Sequence, residues 1–400
     1  MLQGISFVGS FALLRWMSVE DYAIFTLAWS IQSMMMAFGD LGVGGAVVPM
    51  VGSAVDDPRR LGACIAAGRQ LRRWLFPVVA VGGALTFWLL GRQHGISLFN
   101  GSLLFLCALF SLWLNASTLF YSAPLIIRQK IGYIQVLQNA VVCLRVLVYL
   151  LGHLFGFIAA ALPLLTNVIL QAGQHLVLRQ KCKIYIDEPP IRSLEAEEAR
   201  QELLRFVLPQ VPVLIFNTFL GQITIFVVSL VGTTAALAEI GAITRLSALF
   251  APLAGFFPLI IIPYFTRLEQ HLVGRRTFQL FCLGCGLLAS LVALGFVLPQ
   301  PFLWTLGEKY FHLRSEIPWT LLAFGAGQIA GLLAAVIYAR KIIPRLSIVF
   351  IALPVITTQL VGAFFFPPIT IHGAILITLW TNIGSIIGHW VLFNTFNRRA

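Results

Sequence analysis

Charge is what this 400-residue sequence has least of. Charged residues make up 10% of it and hydrophobic residues 59%, whereas a soluble domain carries roughly 25% charged residues. A soluble chain of this length has too little polar surface to cover so much apolar side chain, which leaves a polytopic membrane protein. Acid is scarcer than base, with 15 Asp and Glu against 27 Lys and Arg. The resulting net charge of +12 does not point to nucleic acid, because the basic residues stand in short clusters between apolar runs. Among the six cysteines the one close spacing is Cys282-x-x-Cys285, inside FCLGCGLLASL, with no second pair and no histidine beside it. That argues against a metal or redox centre and for small helix-packing residues. No DxD, no paired carboxylates and no Ser/His/Asp set at usable spacing is present, and His94, His312 and His372 read as isolated interfacial residues. The run Gly39-x-x-Gly42-x-Gly44-Gly45 is glycine-rich but lies in an apolar stretch, so it reads as helix packing, not as a nucleotide loop. No basic region precedes the first apolar run, so no secretory signal is read there. No cofactor is expected.

What is present is a series of apolar runs long enough to cross a bilayer core of roughly 30 Å as helices. The predicted spans are 2–17, 23–48, 74–91, 101–121, 133–152, 155–177, 206–230, 238–264, 277–298, 317–339, 345–366 and 369–393. With the N-terminus inside, the cytoplasmic ends hold Arg59 to Arg73, Arg128 and Lys130, Arg179 to Arg205, Arg267 to Arg276, Arg340 to Arg345, and Arg398 and Arg399. Only Arg15, Arg92, Lys309 and Arg314 fall at the outer boundaries. This asymmetry fixes an even number of spans, with both termini cytoplasmic. The longest inner loop contains LEAEEARQELLR, which reads as a surface amphipathic helix in a solvated linker. The expected organisation is therefore all-α, with about 12 transmembrane helices in two six-helix halves: 1–178, the linker 179–205, and 206–400. A short echo between Tyr22–Thr26 and Ile240–Thr244, each following an acid, fits two repeated halves.

The chain is organised around Ser18–Val51, where the acidic pair Glu20-Asp21 precedes an apolar run ending near Asp40. A carboxylate in a membrane segment is costly and should face protein or water. Mid-span arginines are equally telling. On one helix, Gln135, Gln138, Arg145, Tyr149 and His153 fall within about 80° of one another, implying a hydrated cavity or a polar seam. Arg245 lies about two turns into the eighth span and Arg15 closes the first. Asn217 with Gln210 adds a polar stripe to the seventh. Arginine stays protonated, so these cations need anions, and Asp40 and Glu239 are the nearby acids. For each arginine an ion pair or a snorkel to the interface is the competing reading. For Asp40 the readings are pairing or packing, or titration during ion coupling. An excess of buried base invites an anionic ligand, and guanidinium forks match phosphate oxygens.

Leu14-Arg15, the step EDYAIFTLA and the run FGDLG, close together, resemble the first two helices of bacterial polysaccharide flippases. These are the Wzx-type exporters of O-antigen and exopolysaccharide, in the MOP superfamily with MATE exporters and the lipid II flippase. The likeness is clearest over Met1–Arg73 and extends further only as helix count and loop pattern. Family members generally have a longer charged lead-in, whereas this sequence opens inside its first span, at Met1-Leu2-Gln3. The resemblance implies an inner-membrane transporter that moves a polyprenyl-diphosphate-linked oligosaccharide from the cytoplasmic to the outer leaflet during lipopolysaccharide or other surface polysaccharide biosynthesis. Its partners would be that lipid-linked cargo, membrane lipids and polysaccharide polymerase or assembly proteins. By span, Arg15 and Arg245 match the family's cavity arginines. Arg145, Gln138, Tyr149 and Asn217 join them as substrate-binding candidates from their own helical faces, with Asp40 and Glu239 as charge-pairing or ion-coupling candidates. A MATE-like exporter of cations would want excess acid in its cavity. A membrane enzyme such as a polymerase would want a long outer loop, and the longest here, near 299–318, is short.

Overall fold

The structure, a computed structural model, describes residues 2–51, 57–187, 189, 193–209, 211–250, 253, 257–340, 347–367 and 370–396. Among them there are helices and turns and no strand. This is the solution hydrocarbon imposes on a chain that must satisfy its own backbone. The helices group into two compact units, Met1–Leu230 and Val231–Ala400. Seven helices are long and apolar enough to cross a membrane. Three shorter apolar helices and two interrupted ones bring the total to roughly 12 spans, in keeping with the sequence.

In the first unit α1 (Leu2–Trp16) is followed by α2 (Val19–Asp40), whose first turn is capped by the Ser18 hydroxyl accepting from the Asp21 N–H at 3.0 Å. The predicted continuous span 23–48 is instead broken. Leu41 and Gly42 take positive φ of 42° and 81°, which ends α2, and the chain restarts as α3 (Val43–Val51). Hydropathy cannot see that break, because the residues on either side are equally apolar. Helix α4 (Pro58–Gln93) runs 36 residues without interruption and merges the predicted amphipathic loop end with the third span. Then come α5 (Leu98–Ile127), α6 (Ile131–Leu154) and α7 (Ala161–Cys182).

The amphipathic helix expected in the middle loop is α8 (Leu194–Val207), with Ser193 as its cap. It is more than a solvated linker. Its apolar face, Ala199, Leu203 and Val207, is buried in a cluster with Val47, Leu61, Ile65 and Phe120. Arg60 pairs with Glu202 at 3.7 Å, and Arg59 pairs with Asp187 at 3.4 Å just ahead of the helix. The last helix of the unit is α9 (Val211–Val231).

The second unit opens with α10 (Thr234–Arg245), which gives way to a 3₁₀ turn (Leu246–Phe250), a π turn (Phe257–Ile261) and α11 (Ile262–Arg267). The predicted eighth span, 238–264, is thus interrupted as the second is. It is followed by α12 (Gln270–Val297), α13 (Gln300–Leu306), a 3₁₀ helix (Glu308–Ser315) and α14 (Glu316–Ala339). The last two helices, α15 (Ser347–Phe365) and α16 (Ile371–Phe396), form a close hairpin. Gly384 and Gly388 make that possible. A Cβ on Gly384 would stand 2.7 Å from the Pro354 carbonyl oxygen, and one on Gly388 2.8 Å from that of Phe350. This is the small-residue seam by which membrane helices bring their backbones together.

Candidate functional site

Two groups of polar side chains lie among the helices of the first unit. The first is built on α6. This helix runs parallel to α1, since Val146 stands against Gly9 and the His153 ring stacks on Trp16 at 4.5 Å and 3°. Both contacts share one numbering offset, so Arg145 is level with Val8. It therefore lies about seven residues, roughly 10 Å along the axis, from the level of Arg15. Arg15 itself is exposed at the end of α1. Arg145 is half-buried and one Nη donates to Asn167 Oδ1 on α7 at 2.9 Å. Its Nε meets no acceptor among the described residues. Asn167 is only 2% exposed, and two further buried amide oxygens, Asn139 Oδ1 and Gln171 Oε1, are also unmatched. Tyr149, one turn along from Arg145, is buried, whereas Gln138, about two turns the other way, is exposed. The residues expected on one face of α6 thus differ in burial, and among them Arg145 reaches Asn167. That arginine is held by a neutral amide, with no carboxylate among its partners.

The second group is one the sequence analysis misplaced. Arg72, counted there among the basic residues of a cytoplasmic loop, is 5% exposed. One Nη donates to the Leu112 and Trp113 carbonyls of α5 at 2.8 and 3.0 Å, and the other to Ser117 Oγ at 3.3 Å. The Trp113 ring lies 5.5 Å from the guanidinium. The signal was present in the sequence: Arg72 continues the buried stripe Leu61, Ile65, Gly68 at helical spacing. Asp40 interacts electrostatically with Arg72, and its Oδ1 accepts from the Gly44 N–H at 2.9 Å. Asp40 thus caps the start of α3, and its carboxylate acts on the buried guanidinium at a distance. Beside this pair Arg69 donates to the Tyr121 hydroxyl at 3.3 Å, and Tyr121 meets His175 edge-on at 5.4 Å.

In the second unit Arg245 occupies the last turn of α10, where a cation complements the helix end. Glu239 Oε1 lies 2.7 Å from His312 Nε2. His372 Nδ1 lies 2.8 Å from Glu316 Oε2, with Trp319 edge-on to its ring. His94 Nε2 lies 2.9 Å from the Ser229 carbonyl in the first unit. The three histidines expected to be isolated are therefore each held by a partner. The Asn217 side chain lies outside the described residues. No group of three metal-ligating side chains occurs among the described residues.

No family model and no curated protein matches the chain. Solved structures do. An inward-facing multidrug resistance MATE family transporter of the MOP superfamily aligns over 99% of this chain and 94% of its own, at 12% identity and a TM-score of 0.68. The lipid II flippase MurJ, in an inward closed conformation, aligns over 98% and 85%, at 14% identity and 0.71. A mutant form of the Vibrio cholerae MATE transporter VcmN aligns over 100% and 95%, at 12% identity and 0.55. At such identities the likeness is one of fold. The chain is a multi-pass membrane protein with the fold of MATE and MurJ transporters.

Proposed function

We propose that this chain is a transporter that flips a polyprenyl-diphosphate-linked oligosaccharide across the bacterial inner membrane for surface polysaccharide biosynthesis. It works by alternating access of two six-helix halves, 1–178 and 206–400, with both termini in the cytoplasm. The observation that carries the reading is Arg145. A guanidinium within a membrane-spanning helix, fixed by a neutral amide and with Nε unmatched, has donors to spare for a phosphate. No ion pair joins Arg145 to Asp40 or to any other carboxylate among the described residues. The resemblance of the first helices to Wzx-type flippases and the fold shared with a lipid II flippase support the same cargo class. Arg15 and Arg245 are the further cationic contacts of this reading. Tyr149, Gln138 and Asn217 are its candidate sugar contacts, and Glu239 stays with His312.

The test compares lipid-linked oligosaccharide on the inner leaflet of cells with the gene deleted, restored, or restored as Arg145→Ala at matched expression. Accumulation on deletion, rescue by the wild type and failure of Arg145→Ala is the expected pattern. Rescue by both forms would free Arg145 from the role. No accumulation on deletion, in cells lacking a second transporter, would overturn the cargo. The MATE neighbours favour one further reading, export of a small organic molecule. It predicts drug sensitivity on deletion with no change in lipid-linked sugar.

A further inference from the structure

Three membrane-spanning helices of the first unit end at one place, and the residues there form a second cationic site. Arg128 is the C-cap of α5, Lys130 the N-cap of α6, and Lys181 lies in the last turn of α7. All three cations surround Tyr185, three residues beyond α7. The Arg128 guanidinium lies 4.4 Å from its ring and the Lys130 ammonium 4.8 Å. Lys130 Nζ also donates to the Tyr185 hydroxyl at 2.6 Å. The Lys181 charge acts on the same phenol, and its ammonium stands 5.8 Å from the Tyr133 ring. None of the three is paired with a carboxylate among the described residues, and the neighbouring Asp187 is taken by Arg59.

Three like charges gathered without a counter-ion among the described residues repel one another, so the arrangement favours a bound anion. The backbone adds to this. The N-terminus of α6 has no side-chain cap, so its first N–H groups are unspent, and nothing stands within 4 Å of where a Gly132 Cβ would be. A lysine at a helix N-terminus is electrostatically misplaced unless an anion joins it. The site's height selects the anion. α5, α6 and α7 are each apolar enough to cross the bilayer, so their shared end lies at the level of the lipid headgroups.

We propose that Arg128, Lys130, Lys181 and the free N-terminus of α6 bind the phosphate of an anionic phospholipid headgroup. The tyrosines hold the cations splayed around the phosphate, and the acyl chains lie along the exposed apolar faces of α6. This site is separate from Arg145 and does not rest on the transport reading.

The test is phosphatidylglycerol retention by the purified chain in nanodiscs of phosphatidylglycerol and phosphatidylcholine, read by mass spectrometry. The wild type should prefer phosphatidylglycerol, with affinity falling about fivefold for each of Arg128→Gln, Lys130→Gln and Lys181→Gln. A control that removes three charges elsewhere, Arg267→Gln/Arg275→Gln/Arg276→Gln, should keep the preference. Equal retention by the single variants and the control would overturn the site. Protection against heat by inorganic phosphate in pure phosphatidylcholine, equal to that given by phosphatidylglycerol, would overturn the lipid as its source. If the variants fail to fold, the ionisation of Tyr185 in the folded wild type, isolated by difference from Tyr185→Phe, decides. Phosphatidylglycerol should move it to higher pH than phosphatidylcholine does, and no movement overturns the proposal.

Discussion

Arg72 and Arg145 show two ways of keeping a guanidinium within a helical membrane protein. Arg72 donates to two carbonyls and a hydroxyl, and the Asp40 charge acts on it. Removing the guanidinium leaves those buried acceptors unmatched, at a cost of roughly 1–3 kcal/mol or more. Arg72→Ala should therefore lower the thermal midpoint in detergent markedly. Arg72→Lys, with a single compact ammonium, should recover only part of the loss. Arg72→Met combined with Asp40→Asn should be milder than Arg72→Ala, because no unpaired charge remains. Equal midpoints for the wild type and Arg72→Ala would show that the pair is not structural. Arg145→Ala should lower the midpoint less, because it leaves one buried amide oxygen of Asn167 unmatched, at about 1–3 kcal/mol, where Arg72→Ala leaves three acceptors. Tyr185 is the residue outside the spans whose titration is set by its neighbours. The hydrogen bond from Lys130, with the charges of Lys130, Arg128 and Lys181, holds its phenol below the ordinary tyrosine range. A depressed folded value means the interaction supports the fold above the tyrosine's unfolded pKa and disappears as pH falls through the folded one. Lys130→Met should return Tyr185 toward ordinary behaviour in a spectrophotometric titration.

At the level of elements, the junction between α2 and α3 turns on two residues with opposite tolerances. Gly42 at φ 81° is where only glycine is unstrained, whereas Leu41 at φ 42° already carries the left-handed penalty of a side chain. Gly42→Ala should destabilise by about 1–2 kcal/mol. Leu41→Gly should be close to neutral, because relief of strain is offset by greater freedom in the unfolded chain. A thermal midpoint that falls more for Leu41→Gly than for Gly42→Ala would contradict this account. The hairpin of α15 and α16 offers a second case. Gly388→Val would drive a branched side chain into the Phe350 carbonyl and Ile351 Cα. It should part the two helices, seen as protease sensitivity between them. These elements also mark the limit of what the sequence carried. Whole helices were legible, because apolar runs of about 20 residues have one stable form in hydrocarbon. The interruptions at Leu41–Gly42 and after Arg245 were not, because dihedral breaks leave hydropathy unchanged. The face of α6 bearing Arg145 was legible by period. Its bond to Asn167 was not, because that depends on the packing of α7 against it.

At the scale of the whole molecule, the uneven distribution of base predicts a topology that can be tested. The clusters at Arg128–Lys130, Arg179–Lys183 and Arg267–Arg276 should share one side, and the His94 turn and the Glu308–Ser315 segment the other. Burial of α8 against α3 and α4 strengthens this, because its ion pairs Arg59–Asp187 and Arg60–Glu202 tie two of the basic stretches to one end of the first unit. Fusion of alkaline phosphatase, active only outside the cytoplasm, after Gly95 or Gly307 should therefore give activity. Fusion after Gln129, Lys183 or Glu269 should give none, and a fluorescent protein that folds only in the cytoplasm should give the reverse. The informative position is Gly307. It lies beyond the interrupted span α10–α11, and α10–α11 was counted as one crossing although its helix is broken after Arg245. If that segment entered and left by the same face, every fusion after it would change sides. Activity after Gly307 together with silence after Glu269 would establish that the broken segment crosses, as a continuous helix would.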